Sequence, residues 1–336
     1  MKRGLLYDHD AFDRHDTGFH VENATRLVEA RRALARLDCA GVETVAAAPA
    51  SRSLLRRVHP DEHLDAVEAQ CARSEAFDAD TPVVPASWRA ALLASGAAAD
   101  AAVRTLKGDA DAAFVLSRPP GHHATPTRAM GFCLLNHAAV AAEAALAAGA
   151  RRVAIVDPDV HHGNGTQDAF YARRDVFYAS LHEWPLYPGT GAAGERGAGA
   201  GLGYTLNMPV PAATGERGFD GLVEGLLLPA LRAFAPDLLV VSAGYDAHAA
   251  DPLGHLLLSS LYYHDLFSKL AAIAPVVAVL EGGYDPVALG RSVAGSVAAL
   301  AGASPPAWPE ARQPGRDLGS LVEDLRKLHA DAGPLA

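Results

Sequence analysis

Apolar residues along this chain fall into two kinds of run that alternate. Short continuous runs, rich in Val, Ile and Leu, occupy 4–7, 42–46, 112–117, 152–157, 176–181, 204–208, 237–242 and 275–280. Longer stretches, with apolar residues recurring every three or four positions, lie near 23–37, 61–72, 87–107, 136–149, 165–173, 216–234, 259–274 and 285–302. The first kind predicts buried strands and the second amphipathic helices. The Ala-rich stretch 138–150 carries Glu143 and ends in Gly149, Ala150 and Arg151, which predicts a buried helix. Strands alternating with helices predict a parallel sheet covered on both faces. The Gly/Ala-rich segment 192–203 predicts a flexible loop. Residues 303–316, with Pro305, Pro306, Pro309 and Pro314, predict a linker before a helix near 317–330. No internal repeat and no second domain emerge: residues 1–302 form the main body, and 303–336 belong to the same domain.

Composition narrows the class. A chain of 336 residues can bury a substantial core. Its formal net charge of −10 argues against nucleic acid as a direct partner. Cys39, Cys71 and Cys133 show no CxxC spacing, so neither a disulfide framework nor a thiolate zinc site is expected. No segment approaches the roughly 18 apolar residues of a membrane span, and the N-terminus lacks the apolar core of a signal peptide. A cytoplasmic location is the expectation.

Chemically active residues gather where the strand-like runs end. The run ending at Val156 is followed by Asp157-Pro158-Asp159-Val160-His161-His162-Gly163-Asn164-Gly165. Carboxylate and imidazole together suit a divalent metal such as zinc. Arg118-Pro119-Pro120-Gly121-His122-His123-Ala124 follows the run 112–117. Ser242-Ala243-Gly244-Tyr245-Asp246 closes the run 237–242, and Glu281-Gly282-Gly283-Tyr284-Asp285 closes 275–280. Open parallel sheets bind ligands at the carboxyl ends of their strands. The pattern therefore predicts one site built from several strand ends. Read singly, each motif also has a structural reading as a turn, a helix cap or a packed aromatic.

Taken together and in order, these motifs resemble the histone deacetylase and acetylpolyamine amidohydrolase superfamily. His182-Glu183-Trp184-Pro185-Leu186-Tyr187-Pro188-Gly189-Thr190-Gly191 is a fifth segment of the same resemblance, which runs from about residue 3 to about residue 302. The Glu of EGGY and the Asn of HHGN are closer to class II deacetylases and their bacterial relatives than to class I. The resemblance implies the arginase/deacetylase fold, a three-layer α/β/α sandwich with an eight-stranded parallel sheet. In that fold the third, eighth, seventh and fourth strands are neighbours. The count of strand-like runs places the four strand-end motifs after those same strands.

The resemblance also implies residue roles for amide hydrolysis. Asp159, His161 and Asp246 match the zinc ligands, leaving room for water and substrate oxygen. His122 and His123 match the tandem histidines that move protons, with Asp157 and Asn164 as their partners. A neutral Asn164 holds His123 charged less strongly than an Asp would, so the two histidines should differ in pKa. Tyr284 matches the tyrosine that stabilises the oxyanion. Gly282 and Gly283 fit a tight turn at the ligand. Gly131, Phe132 and Tyr187 match an acyl-lysine tunnel, where many relatives have Phe in place of Tyr187. Asp157, Ser180 and Leu181, with Asp159 and His161, match a structural potassium site. Phe170, Arg173, Val176 and Tyr204 match a second monovalent site, in which Arg173 replaces a smaller residue.

Other features read differently. His162 is expected to pack away from the metal. Asp246-Ala247-His248 with Asp251 resembles an arginase metal motif, but the spacing differs, and His248 reads as a loop residue. His9, His15, His20, Glu22 and Arg26 match a loosely written N-terminal region, whose usual prolines are missing from 20–26; the departure is expected to affect the rim loops.

The expectation is a zinc-dependent hydrolase acting on acyl-lysine in a peptide or protein, or on a small acylated amine. A homo-oligomer is left open. The alternatives are an acetylpolyamine amidohydrolase, a two-manganese ureohydrolase and a non-catalytic acyl-amine sensor. Leu253 bears on the first of these, because a polyamine-preferring branch carries an acidic residue at the matching position.

Overall fold

The computed structural model describes residues 2–37, 39 and 41–336. Its strands are β1 (Gly4–Asp8), β2 (Val42–Ala46), β3 (Ala112–Val115), β4 (Val153–Asp157), β5 (Val176–Glu183), β6 (Thr205–Val210), β7 (Leu238–Ala243) and β8 (Val276–Leu280). They form one eight-stranded sheet in the order β2-β1-β3-β8-β7-β4-β5-β6. Every pairing is parallel. This is the α/β fold expected, and β3, β8, β7 and β4 lie side by side at its centre.

The continuous apolar runs are explained by burial on both faces. Every residue of β3, β4, β7 and β8 is buried. Alternation sends Phe114, Val156, Val241 and Ala278 into one core and Ala113, Ile155, Val240 and Val277 into the other. Helices Thr25–Leu34, Pro286–Ala301 and Ser260–Leu270 pack on one another against the first core. Helices Pro85–Leu106 and His137–Ala147 pack together over the second. Asp285 caps helix 286–301 by accepting from Ala288 N, so the last residue of the EGGYD segment starts a helix.

The amphipathic stretch 216–234 is not one regular helix. It runs as α over Glu216–Leu222, π over Val223–Leu227 and α again over Leu228–Phe234. Pro229 supplies the reason: it has no N–H, and its ring crowds the preceding turn. Residues 303–318 are irregular, and helix Gly319–His329 buries Val322 and Leu325. It lies against helix 216–222. Among the described residues no helix is long and apolar enough to cross a membrane.

Candidate active site and metal centre

Because four neighbouring parallel strands end at the same edge, their four following loops converge. The turn after β4 and the loop after β7 bring together Asp159, His161 and Asp246, all buried, with one donor atom from each lying within 4.8 Å of the others. His161 Nδ1 is 3.2 Å from Asp159 Oδ1 and 3.3 Å from Asp246 Oδ2. Backbone amides fix the carboxylates: Gly282 N donates to Asp159 Oδ2 at 3.0 Å, and Val160 N to Asp246 Oδ1 at 2.7 Å. The remaining oxygen, Asp246 Oδ2, is buried and lacks a well-aligned hydrogen bond, its 3.3 Å approach to His161 Nδ1 aside. A buried carboxylate oxygen in that state is costly, and a divalent cation would satisfy it. The backbone closes tightly around the same oxygens. A Cβ at Gly282 would lie 2.0 Å from Asp246 Oδ2, and one at Gly244 2.0 Å from Asp159 Oδ2. Two oxygens and an imidazole, with one side open to a cavity, form a donor set that fits a catalytic metal.

The electrostatics of the three groups are coupled. Burial and the Asp159 charge push Asp246 up to about 7. Burial alone would lower His161, but hydrogen bonding to Asp159 and Asp246 and their charges hold it up at about 10. Burial disfavours the charged form of Asp159 too, yet His122 and His161 keep it well below the usual carboxylate range. Metal ligands must be deprotonated. In protein freed of metal, His161 is therefore expected to carry a proton at pH 7–8 and Asp246 part of one, and loading a divalent cation is expected to release them. Apparent affinity should rise with pH until His161 loses its proton unaided, near 10. Calorimetry in buffers of different ionisation enthalpy measures this; binding with no proton release would contradict the geometry.

The tandem histidines stand beside this cluster, with ring centroids 4.0 Å apart. His122 Nδ1 lies 3.1 Å from Asp157 Oδ2, which also accepts from Tyr178 Oη at 3.2 Å. His123 Nδ1 lies 2.8 Å from Asn164 Oδ1. Their environments diverge as the two partners differ. Burial works against charge on His122, but Asp159 and Asp157 outweigh it and hold the pKa well above normal. Burial, then the charges of His122 and His161, drive His123 well below normal, and Asn164 offers no countercharge. The pair thus combines a charged imidazole with a neutral one facing the cavity.

Tyr284 lines the same cavity as His123 and His161. Burial keeps its hydroxyl protonated by raising its pKa well above normal, with Arg26 only partly offsetting this. Asp251 Oδ2 accepts from Tyr284 N at 2.6 Å, and the Arg26 guanidinium sits 5.0 Å from the ring centroid. A cavity of about 500 Å³ leads from solvent to His123, His161 and Tyr284, past Gly131, Phe132, Tyr187, Leu253 and His20. Phe132 stands edge-on to Tyr284, with centroids 5.6 Å apart, and to His20, at 4.7 Å. Gly131 has φ +56°, and a Cβ there would meet the His123 ring at 2.6 Å, so the bend before Phe132 requires glycine. Phe132 itself is held at φ +69°, a conformation a bulky residue rarely adopts.

Of the residues matched to monovalent sites, only His161 is among those lining this cavity. Asp157, the last residue of β4, and Ser180, within β5, are register partners, with Leu181 next along. Arg173 pairs with Asp175 and Glu143 and sits 5.3 Å over the Phe170 ring, beside buried Val176. The Tyr204 carbonyl accepts from Tyr178 N at 3.0 Å. His162 is buried and bonded through its two nitrogens to Thr190 and Gln167, away from the cluster.

Four residues have tasks that the sequence reading did not give them. Glu281 Oε2 accepts from Gly121 N at 2.5 Å and His122 N at 3.0 Å, joining the β8 end to the histidine loop. Asp251 holds the Tyr284 backbone. Glu22 and Arg26 do not belong to the rim as expected. Both are fully buried, and Arg26 donates to the carbonyls of Gly283 (2.6 Å) and Glu281 (2.5 Å) beneath Tyr284. Glu22 bridges Arg26 and Arg118, at 3.0 and 2.5 Å. The four-residue spacing of Glu22 and Arg26 was visible, but Glu22 precedes helix Thr25–Leu34, so no helical periodicity pointed to their ion pair.

With this geometry in view, comparisons with known proteins are informative. A family model described as a histone deacetylase domain matches residues 20–300. The chain is 34% identical over 352 residues to a probable deacetylase of Archaeoglobus fulgidus, covering 98% of each. It is 40% identical to a histone deacetylase-like amidohydrolase of Pseudomonas aeruginosa, over 76% of this chain and 70% of that one. Identity to an acetylpolyamine amidohydrolase of Burkholderia pseudomallei is 45%, over 71% of each. Among solved structures, the HDA15 HD domain superposes with a TM-score of 0.92 at 34% identity, covering 99% of this chain and 96% of that one.

Proposed function

The chain belongs to the histone deacetylase family, and from that premise we propose that it is a zinc-dependent deacylase whose substrate is an acyl-lysine side chain. The observation that carries the reading is the buried Asp159–His161–Asp246 cluster, with an unsatisfied carboxylate oxygen, at the end of an apolar cavity. When bound, zinc at these three residues would lower the pKa of a water and polarise the acyl carbonyl.

The protein's own groups supply the rest. His123, kept neutral by burial and the neighbouring His122 charge, accepts the proton of the attacking water. Its Nδ1–H is engaged by Asn164, which leaves Nε2 as the basic atom. His122, held charged beside Asp157 and Asp159, stabilises the developing negative charge and completes proton delivery to the leaving amine. The Tyr284 hydroxyl donates to the oxyanion, a role that suits its raised pKa. Gly282 and Gly283 let the backbone pass beside the reacting carbonyl. Phe132 and Tyr187 flank the methylene chain with Gly131 between them and the histidines. Potassium is assigned to Asp157, Asp159, His161, Ser180 and Leu181, and a second monovalent cation to Phe170, Arg173, Val176 and Tyr204. We assign the substrate to a peptide or protein acyl-lysine and place 303–336 in the same domain as 1–302. The intact set of six groups, Asp159, His161, Asp246, His122, His123 and Tyr284, weighs against a non-catalytic sensor. A three-donor cluster weighs against a two-manganese centre.

Lysine against polyamine turns on the mouth. Leu253 lines the cavity and offers no charge for the second cation of an acetylpolyamine. The wild type is expected to favour acetyl-lysine peptide over acetylspermidine in kcat/KM. Leu253→Glu is expected to move the ratio toward the polyamine by about 1–3 kcal/mol, less at high salt. A substrate panel of acetyl-lysine peptides, acetylspermidine, acetylputrescine and longer acyl-lysines reads this directly. A wild-type preference for acetylspermidine would overturn the lysine assignment and make Asp80, the acidic residue lining the same cavity, the charge to examine.

A further inference from the structure

The irregular segment after helix 286–301 does more than lead to the last helix. Residues 303–318 cross the starts of two helices and are tied down on both. Arg312 donates to Glu216 Oε2 at 3.0 Å and to Asp265 Oδ2 at 2.7 Å. Glu216 N and Arg217 N donate to the carbonyls of Gln313 and Pro314, at 3.0 and 2.8 Å. Between Arg291, which sits 5.8 Å over the Trp308 ring, and Arg312, the segment turns Glu310 inward.

Glu310 Oε1 lies 2.6 Å from Nε2 of His248 and accepts from Ser260 N at 3.2 Å. His248 is buried, and its tautomer is set by the backbone. Ala250 N donates to Nδ1 at 3.0 Å, so Nδ1 bears the lone pair and Nε2 the hydrogen. That hydrogen has Glu310 as its near acceptor, with Ser260 Oγ farther away at 3.3 Å. The imidazole therefore cross-links the C-terminal segment to the turn 246–251.

That turn carries two groups of the site. Asp246 is at its start. Asp251 is at its end, fixed by donation of its own N–H to the His248 carbonyl at 2.9 Å. Asp251 in turn accepts from Leu253 N at 2.9 Å and Tyr284 N at 2.6 Å. One side chain from outside the strand-end motifs thus bears on the turn that holds a metal-ligand candidate, the tyrosine and the mouth.

We propose that Glu310 is a positioning residue for the hydrolysis: through His248 it fixes the 246–251 turn and so places Asp246 for the metal and Asp251 under Tyr284. The inference rests on the reading of Asp246 as a metal ligand. Residues that orient ligand-bearing groups typically contribute about 10–100-fold to metal affinity or activity. Glu310→Ala is expected near the low end, about tenfold in zinc affinity by chelator competition. kcat should fall with it while KM for an acetyl-lysine peptide stays near wild type. Glu310→Gln keeps an acceptor for Nε2–H and should restore most of both. The double variant with His248→Ala should be no worse than the poorer single variant, because the two act through one contact.

Arg312→Ala separates positioning from general loosening, since it releases the same segment at Glu216 and Asp265. It is expected to lower Tm while zinc affinity stays at the wild-type value. Wild-type zinc affinity in Glu310→Ala, additive losses in the double variant, or equal zinc loss in Arg312→Ala at equal Tm would each overturn the proposal. Asp246→Ala tells that failure from failure of the underlying reading: if it still binds zinc as the wild type does, the ligand assignment itself is wrong.

Discussion

Asp246→Ala, and separately Asp159→Ala, are expected to lose bound zinc and turnover together. Each removes one of three donors from a cluster in which every donor is buried. Groups that merely orient a ligand are worth about 10–100-fold in metal affinity, so a donor itself should exceed that range. Asp246 carries a second consequence. Its Oδ1 accepts from Val160 N, between Asp159 and His161, so alanine also frees the turn that supplies the other two donors. Asn at 246 keeps that acceptor and loses the charge; it should retain the fold and still bind zinc poorly. Metal content by elemental analysis, read beside turnover and Tm, checks all three variants. Full activity with no bound metal in either alanine variant would remove the metal from the mechanism.

Tyr284→Phe is expected to reduce kcat by about 10²–10³, or about 2.7–4 kcal/mol, the usual loss for one oxyanion donor. The ring should stay in place. Arg26 lies over it, Phe132 meets it edge-on, and the backbone N–H is held by Asp251. Zinc content should therefore be unchanged, and KM should move less than kcat. Unchanged turnover would make Tyr284 a packing residue of the cavity wall.

Much of the fold was legible because its signals are local. Eight continuous apolar runs mark eight strands, and burial on both faces explains why those runs do not alternate. The strand order followed from the family resemblance, which also placed the chemistry at neighbouring strand ends. The pairings His122–Asp157 and His123–Asn164 were anticipated from matched positions, and the structure brings both within hydrogen-bond distance. The divergence of the two histidines was legible for a simple reason: one partner is a carboxylate and the other an amide.

What stayed hidden depends on distant parts of the chain. Arg26 reaches carbonyls 255 and 257 residues away, and no periodicity in 20–26 reports that. The missing prolines drew attention to the rim, although Glu22 and Arg26 are fully buried beneath Tyr284. Asp251 was read against an arginase pattern and as part of a mouth loop, while its carboxylate in fact holds the Tyr284 backbone. Glu281 stood in plain view in its motif, but its task is to receive the amides of Gly121 and His122, a contact between loops 159 and 160 residues apart. The broken helix at 216–234 was a local miss, because Pro229 is visible in the sequence and proline inside a helical pattern disturbs the turn before it.

The central claim, hydrolysis of acyl-lysine that needs a metal at Asp159, His161 and Asp246, is tested most directly by stripping and restoring that metal. Wild-type protein is dialysed against a chelator, assayed on an acetyl-lysine peptide, and titrated with zinc. The account predicts that turnover vanishes on stripping and returns linearly up to one zinc per chain. Full turnover in the stripped protein, or activity that needs two metal ions per chain, would contradict it.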